Sequence, residues 1–327
     1  VELHNSLILR YLIIILTHER NTGTSKMNEK IQLYQQELID ITSRINDGDG
    51  VRQTNVPGLK TVRSCHTSCT HPTIYEPMFC LLLQGGKKLR MGEKEINFKE
   101  MSYLMVPVML PVIGEIVNAC NEKPYVGVSI DLDMRTLSEL VSDIGEGFYA
   151  NGPNGCCMNN YDVDEGILSV FQRLLQLHET PKDIPVMLPM LKRELMYRVL
   201  NGPGGVQLRQ FLMHDSNASR MSKVIEMIRD NFDEPLKVKH LANAVNMSES
   251  ALYNSFKSVT SMSPLQYQKQ LRLNEARRIM IHEGLEAATA GYKVGYGSPS
   301  QFSREYSRLF GAPPAADINR VRNSVGA

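Results

Sequence analysis

Two stretches of this chain, KHLANAVNMSESALYNSFKSVTSMSP (239–264) and GYKVGYGSPSQFSREYSRLF (291–310), repeat one pattern at an offset of fifty residues. The repeat constrains the fold more than any other feature. In the second copy Phe302, Tyr306 and Leu309 recur at the period of a helix and form one apolar stripe. Ser298 suits the N-cap and Pro299 the first helical position, where a missing N–H costs nothing. Ser300, Arg304 and Ser307 fall on the opposite face, with Ser303 beside them. Upstream, Ala287 to Val294 reads as a short helix that Gly295 ends by taking the left-handed conformation. In the first copy Ser248, Leu252, Phe256 and Val259 hold the matching cap and stripe positions, and Ser250, Asn254 and Lys257 hold the outer face. Asn246 stands in place of Gly295, and Asn is the non-glycine residue that best tolerates that backbone. Each copy predicts helix, tight turn and a second helix with a polar outer face, the helix-turn-helix arrangement.

The segment between them begins with Ser263-Pro264 as cap and first turn and stops at Gly284. Leu265, Leu273, Ala276, Ile279 and Met280 lie on one face of the predicted helix, with Tyr267, Leu271 and Ile281 roughly opposite. A helix apolar on two sides is packed on two sides, so this one is expected to be a stiff spacer. With these blocks in this order, residues 219–318 resemble the DNA-binding domain of the AraC/XylS transcription regulators. The first helix-turn-helix spans about 236–261, the connecting helix 264–283 and the second unit 286–310, with a tail over 319–327. The resemblance implies two recognition helices in successive major grooves about 34 Å apart, with double-stranded promoter DNA and RNA polymerase as partners.

Within that frame, side-chain chemistry assigns roles. Arg304 can donate two hydrogen bonds to one guanine edge, and the amide of Asn254 suits adenine, with Ser250 and Tyr253 beside it. Lys257, a flexible point charge, suits phosphate. Pro299, Ser300 and Ser303 complete the second face. Charge agrees: residues 220–327 hold 15 Lys and Arg against 10 Asp and Glu, while the preceding 219 hold 21 against 25. A basic domain on an acidic one suits DNA binding, although the chain as a whole is only +1.

Upstream, residues 55–132 read as short strands. MFCLLL, KKLRM, EINF, SYLMV and YVGVSIDL are separated by QGG, GEK and KE turn signals. From 135 to 200 the period becomes helical, so the expected class is α+β. The stretches HPTIYEPMFCLLLQGGKKLRMG and RELMYRVLNGPGG resemble the N-terminal domain of one AraC branch, which includes activators of alcohol and aldehyde reductase genes. This implies a cupin-like partial β-barrel with dimer-forming helices over 51–205, preceded by a helix over 27–50 and followed by a linker over 206–218. The expected assembly is a homodimer joined through helices at 164–200, where Met187, Leu188, Leu191, Leu195 and Val199 are apolar. The expected effector is a small uncharged molecule, because the strands are rich in Leu, Val, Met and Phe, and the resemblance makes aldehydes and other small carbonyl compounds the candidates. A redox-responsive or effector-independent DNA-binding protein whose N-terminal domain only dimerises is the alternative.

No enzyme is expected. There is no H-x-H, no histidine over 74–132, and no G-x-S-x-G, P-loop or dinucleotide fingerprint, so neither cofactor nor metal is predicted. CHTSCTH (65–71) offers two thiols and two imidazoles but matches no zinc spacing. Cys80, Cys120, Cys156 and Cys157 are the candidate ligand or thiol-sensing positions, in a reducing, cytoplasmic setting. SLILRYLIIIL is too short to span a bilayer, and Met27 is the expected first residue of the natural protein.

Overall fold

The computed structural model describes residues 29–144, 158–213 and 216–325. Cys156, Cys157 and residues 1–28 lie outside the described residues. Residues 29–45 form α1. The strands are β1 (Gly50–Gln53), β2 (Leu59–Ser64), β3 (His71–Tyr75), β4 (Met78–Gln84), β5 (Gly86–Met91), β6 (Lys94–Lys99), β7 (Ser102–Val106), β8 (Leu110–Asn118), β9 (Tyr125–Asp131) and β10 (Asn159–Asp162). The remaining helices are α2 (Met134–Ile144), α3 (Glu165–Gln176), α4 (Ile184–Asn201), α5 (Gly205–Leu212), α6 (Asn217–Asp230), α7 (Val238–Ala244), α8 (Glu249–Thr260), α9 (Pro264–His282), α10 (Ala287–Lys293), α11 (Pro299–Phe310) and α12 (Pro314–Val325).

The strands make two antiparallel sheets, one in the order β1-β2-β9-β4-β7-β10 and one in the order β3-β8-β5-β6. Period-two alternation decides what each face meets. On β4, Phe79, Leu81 and Leu83 face α1, α3 and α4, while Cys80 and Leu82 face the other sheet. Phe79 stacks on Tyr103 with ring centres 4.7 Å apart and meets Phe171 of α3 at 5.5 Å. The class is α+β, as the strand-then-helix order predicts.

Three details differ from the sequence reading. Leu188, Leu191, Leu195 and Val199 are buried inside the sheet domain, so of the five residues expected to join protomers only Met187 reaches the surface. The exposed apolar face of α4 is instead Val186, Met190 and Tyr197. The expected linker is largely helical: α5 buries Leu208 and Phe211. On α9, Leu265 is 61% exposed, whereas Leu273, Ala276, Ile279 and Met280 pack on one side and Tyr267 and Leu271 on the other.

Behind α11, Tyr306 and Arg277 converge on Asp317 of α12. Arg277 Nε donates to Asp317 at 2.7 Å, and the Tyr306 hydroxyl donates to it at 2.8 Å. Burial opposes the charge on Asp317, but these donors outweigh it and hold its carboxyl below the ordinary 3.8. The resulting stability is complete above about pH 3.8 and is lost as pH falls through the lower native value. Asp317→Ala leaves Arg277, 12% exposed, without its partner. It should cost about 3–5 kcal/mol in a urea melt of the full chain, and a loss under 1 kcal/mol would show that the network is dispensable.

Candidate nucleic-acid interface

The two helix-turn-helix units share their turn geometry. Asn246 has φ 53° and Gly295 φ 86°, so both turns use the left-handed backbone. Met247 N donates to Ala242 O, and Tyr296 N to Gly291 O, each at 3.0 Å. Ser248 caps α8 by accepting from Ala251 N at 3.2 Å. Ser298 makes no such bond, and Pro299 at the first position opens α11 instead. Left-handed Ser261 and Gly311 end the two helices. In the second unit Gly291 is required for close approach, because a Cβ there would lie 2.9 Å from the ring of Phe302.

This packing aims the outer faces. Leu252, Phe256, Phe302 and Tyr306 are buried, and Ser250, Tyr253, Asn254 and Lys257 on α8 and Pro299, Ser300 and Arg304 on α11 are exposed. Ser303 is half-buried, and its carbonyl accepts from the Ser307 hydroxyl at 2.7 Å. Arg304 is not paired with its neighbour Glu305. That carboxylate accepts from the Tyr296 hydroxyl at 2.9 Å and pairs with Lys269 at 3.2 Å. Burial opposes its charge, but these contacts keep its pKa below the ordinary value. Arg308, exposed one turn beyond Arg304, was missed in the sequence although its i+4 spacing could have marked it.

Lys257 has a partner that no local pattern foretold. Its Nζ lies 3.3 Å from Glu93, in the turn between β5 and β6. Gly92 beside it packs so closely that a Cβ would lie 2.0 Å from the Ser261 carbonyl oxygen. The sheet domain thus rests on the end of the first recognition helix. Tyr267 of α9 extends the seam by donating to Met109 O at 2.7 Å.

The other candidates scatter. Cys80 lies between the sheets, where burial pushes its thiol up to about 12, so it is no ready nucleophile. Cys120 is exposed. In the CHTSCTH stretch, His66 turns to Asp49 at 3.3 Å and His71 to Arg277 at 3.3 Å, away from each other. Among the described residues no helix is long and apolar enough to cross a membrane.

Comparison with known proteins agrees with this geometry. Residues 55–207 match the AraC-type transcriptional regulator N-terminus, and residues 241–320 match a helix-turn-helix domain. The HTH-type transcriptional regulator ArgR of Pseudomonas aeruginosa is 30% identical over 107 residues, 33% of this chain and 32% of that protein. The HTH-type transcriptional activator RhaS of Salmonella paratyphi B is 23% identical over 192 residues, 58% of this chain and 64% of that protein. The chain therefore aligns with less than two thirds of the length of either. Among solved structures, fatty-acid-bound ToxT from Vibrio cholerae shares the fold at TM-score 0.54 and 12% identity, over 82% of this chain and 96% of that one. The doubled turn, the two outward faces and the sheet domain in front of them mean that the chain belongs to the AraC/XylS family of transcriptional regulators, with an AraC-type N-terminal domain and a helix-turn-helix DNA-binding domain.

Proposed function

We propose that the protein is an effector-responsive transcriptional activator that binds promoter DNA as a homodimer and engages RNA polymerase. The observation that carries the DNA reading is the pair of outward faces, with Arg304 exposed and Glu305 occupied elsewhere. Arg304 reads a guanine, Asn254 an adenine, and Lys257 holds phosphate. The same Lys257 ammonium pairs with Glu93 at 3.3 Å, so phosphate and Glu93 compete for it. A small carbonyl compound is the effector suggested by the resemblance to the reductase-gene activators. An effector is favoured over a purely dimerising sheet domain because Val62, Cys80 and Ser129, which face the other sheet, keep accessible surface, although Leu82, Leu104 and Tyr125 on the same face are buried. Sequencing of DNA bound by the full chain, with and without candidate carbonyl compounds, tests the whole reading.

Three outcomes are expected. Arg304→Ala should relax preference at one base position, worth about 1–3 kcal/mol of discrimination; an unchanged preference would remove Arg304 from base reading. Lys257→Ala should weaken all sequences nearly equally, while Glu93→Gln should strengthen them by no more than about fivefold, since an exposed pair is worth about 1 kcal/mol or less. For the homodimer, Met190→Asp with Tyr197→Asp should turn a dimer into a monomer in sedimentation velocity. A wild-type chain that sediments as a monomer at micromolar concentration would refute that interface.

A further inference from the structure

His71 opens β3, the outer strand of the small sheet, and β3 touches α9 and α11. Here the sheet domain meets the second helix-turn-helix unit. Arg277 Nη1 donates to His71 Nε2 at 3.3 Å. A guanidinium offers donors only, so Nε2 must be the acceptor and the one ring proton sits on Nδ1. The imidazole in this contact is therefore neutral. Arg277 is held in place beside it. Its Nε and Nη2 donate to Asp317 at 2.7 Å and 3.2 Å, and its guanidinium carbon stands 5.0 Å from the centre of the Phe310 ring.

The groups around His71 differ in sign. Arg277 on α9 opposes a proton there, and so does Lys87, which turns inward on β5 and donates to the Tyr75 hydroxyl at 3.0 Å. Asp317 on α12 favours one. Its oxygens are already taken by Arg277 and by Tyr306 of α11, and it stands beyond ion-pair distance of the ring. On β8 the residue opposite His71 is Gly114, which carries no charge. His71 is exposed, so protons reach it from solvent.

We propose that His71 and Arg277 form a pH-sensitive latch between the sheet domain and the second helix-turn-helix unit, closed while His71 is neutral and loosened when it is protonated. A proton on Nε2 would set two cations and two opposed N–H groups against each other in place of a hydrogen bond. Desolvation at the seam and the Arg277 charge hold the imidazole below its ordinary 6.5, although Asp317 pulls the other way. Asp317 stays ionised in this range, because Arg277 and Tyr306 outweigh the burial that opposes its charge. Burial also opposes the charge on Lys87, but the phenols of Tyr75 and Tyr125 keep it an ammonium. Above pH 6.5 His71 is neutral whether the domains are docked or apart, and the latch is at full strength. Below that value the undocked ring takes up its proton first, so docking weakens until the lower docked value is passed. Each pH unit between the two values changes the docking equilibrium about tenfold. The apolar cluster of the seam does not titrate, so the latch grades docking and does not abolish it. Its consequence for DNA rests on the promoter-binding reading above, whereas the latch does not.

Two measurements on the full chain test it. In an NMR titration with histidine labelled at Cε1, the signal missing from His71→Gln is that of His71, and in the wild type it should titrate below 6.5. Hydrogen exchange, corrected for the intrinsic effect of pH, should then show the seam segments 71–76 and 107–110 less protected at about pH 5.5 than at about pH 7.5. His71→Gln, neutral throughout, should lose that difference, and His71→Arg should resemble acidified wild type even at the higher pH. A His71 signal titrating at or above 6.5, or a seam response that His71→Gln retains, would overturn the latch. DNA affinity separates the latch from the functional reading. It should rise more steeply on acidification in the wild type than in His71→Gln, by up to about one proton per chain. Equal slopes with a seam that loosens through His71 would leave the latch standing and remove docking as a control of DNA binding.

Discussion

The guanidinium of Arg272 holds both DNA-reading units to one helix. From α9 it donates to the carbonyls of Phe232 at 2.6 Å, Asp233 at 3.0 Å and Glu234 at 2.8 Å, in the loop that enters the first unit. It also donates to Gly295 O at 2.9 Å, the turn of the second unit. Only a planar fork of donors reaches four carbonyls from two loops at once. The geometry leaves no room at the turn, since a Cβ on Gly295 would lie 2.0 Å from Asp233 O. That closeness explains why the first unit tolerates Asn246 while the second uses glycine: the second turn is pressed against another loop. With Arg272 in place, α9 fixes the orientation of α8 and α11, and their polar faces can be used together.

The repeat made most of this half of the molecule readable. Caps, stripes and turn residues are local, and local chemistry survives into the fold: Ser263 and Gln266 form the reciprocal capping box that the Ser-Pro start announces. Strands β4, β5, β6, β7 and β9 were legible for the same reason. The exposed Leu265, the burial of Leu188, Leu191, Leu195 and Val199, and the Glu93–Lys257 pair were not. Helical periodicity says which residues share a face, not which neighbour covers that face. Glu93 and Lys257 meet only because two domains dock. Lys87 was hidden differently: KKLRM reads as a basic strand, and only its register against β8 decides which lysine turns inward.

The seam between the halves is a real core, not a touching of surfaces. Leu82, Leu89 and Tyr125 from the sheets share one apolar cluster with Val224, Leu252, Phe256 and Tyr267 from the helices. It is not flush everywhere, however. A cleft of about 330 Å³ opens between Gly92 and Glu93 on one side and Lys269, Glu305 and Arg308 on the other. A second, of about 380 Å³, lies between Thr73 and Ile74 and the helices α6 and α9.

One strand joins the inward-facing Lys87 to this seam. Lys87 is the second residue of β5 and Glu93 follows the strand's end, so the two are six residues apart, at most about 20 Å at the rise of an extended strand. Any displacement of β5 would pull on the same strand that presses Gly92 against Ser261 and sets Glu93 on Lys257. Magnitudes then decide what such a pull could achieve. The Glu93–Lys257 pair is exposed on both sides, so releasing it alone changes DNA affinity by no more than about fivefold. A stronger response requires the Tyr267–Met109 bond and the Gly92 contact to open as well, which exposes part of the shared apolar cluster. An effector acting through β5 would therefore grade DNA affinity through the weak outer contact and switch it fully only by separating the domains.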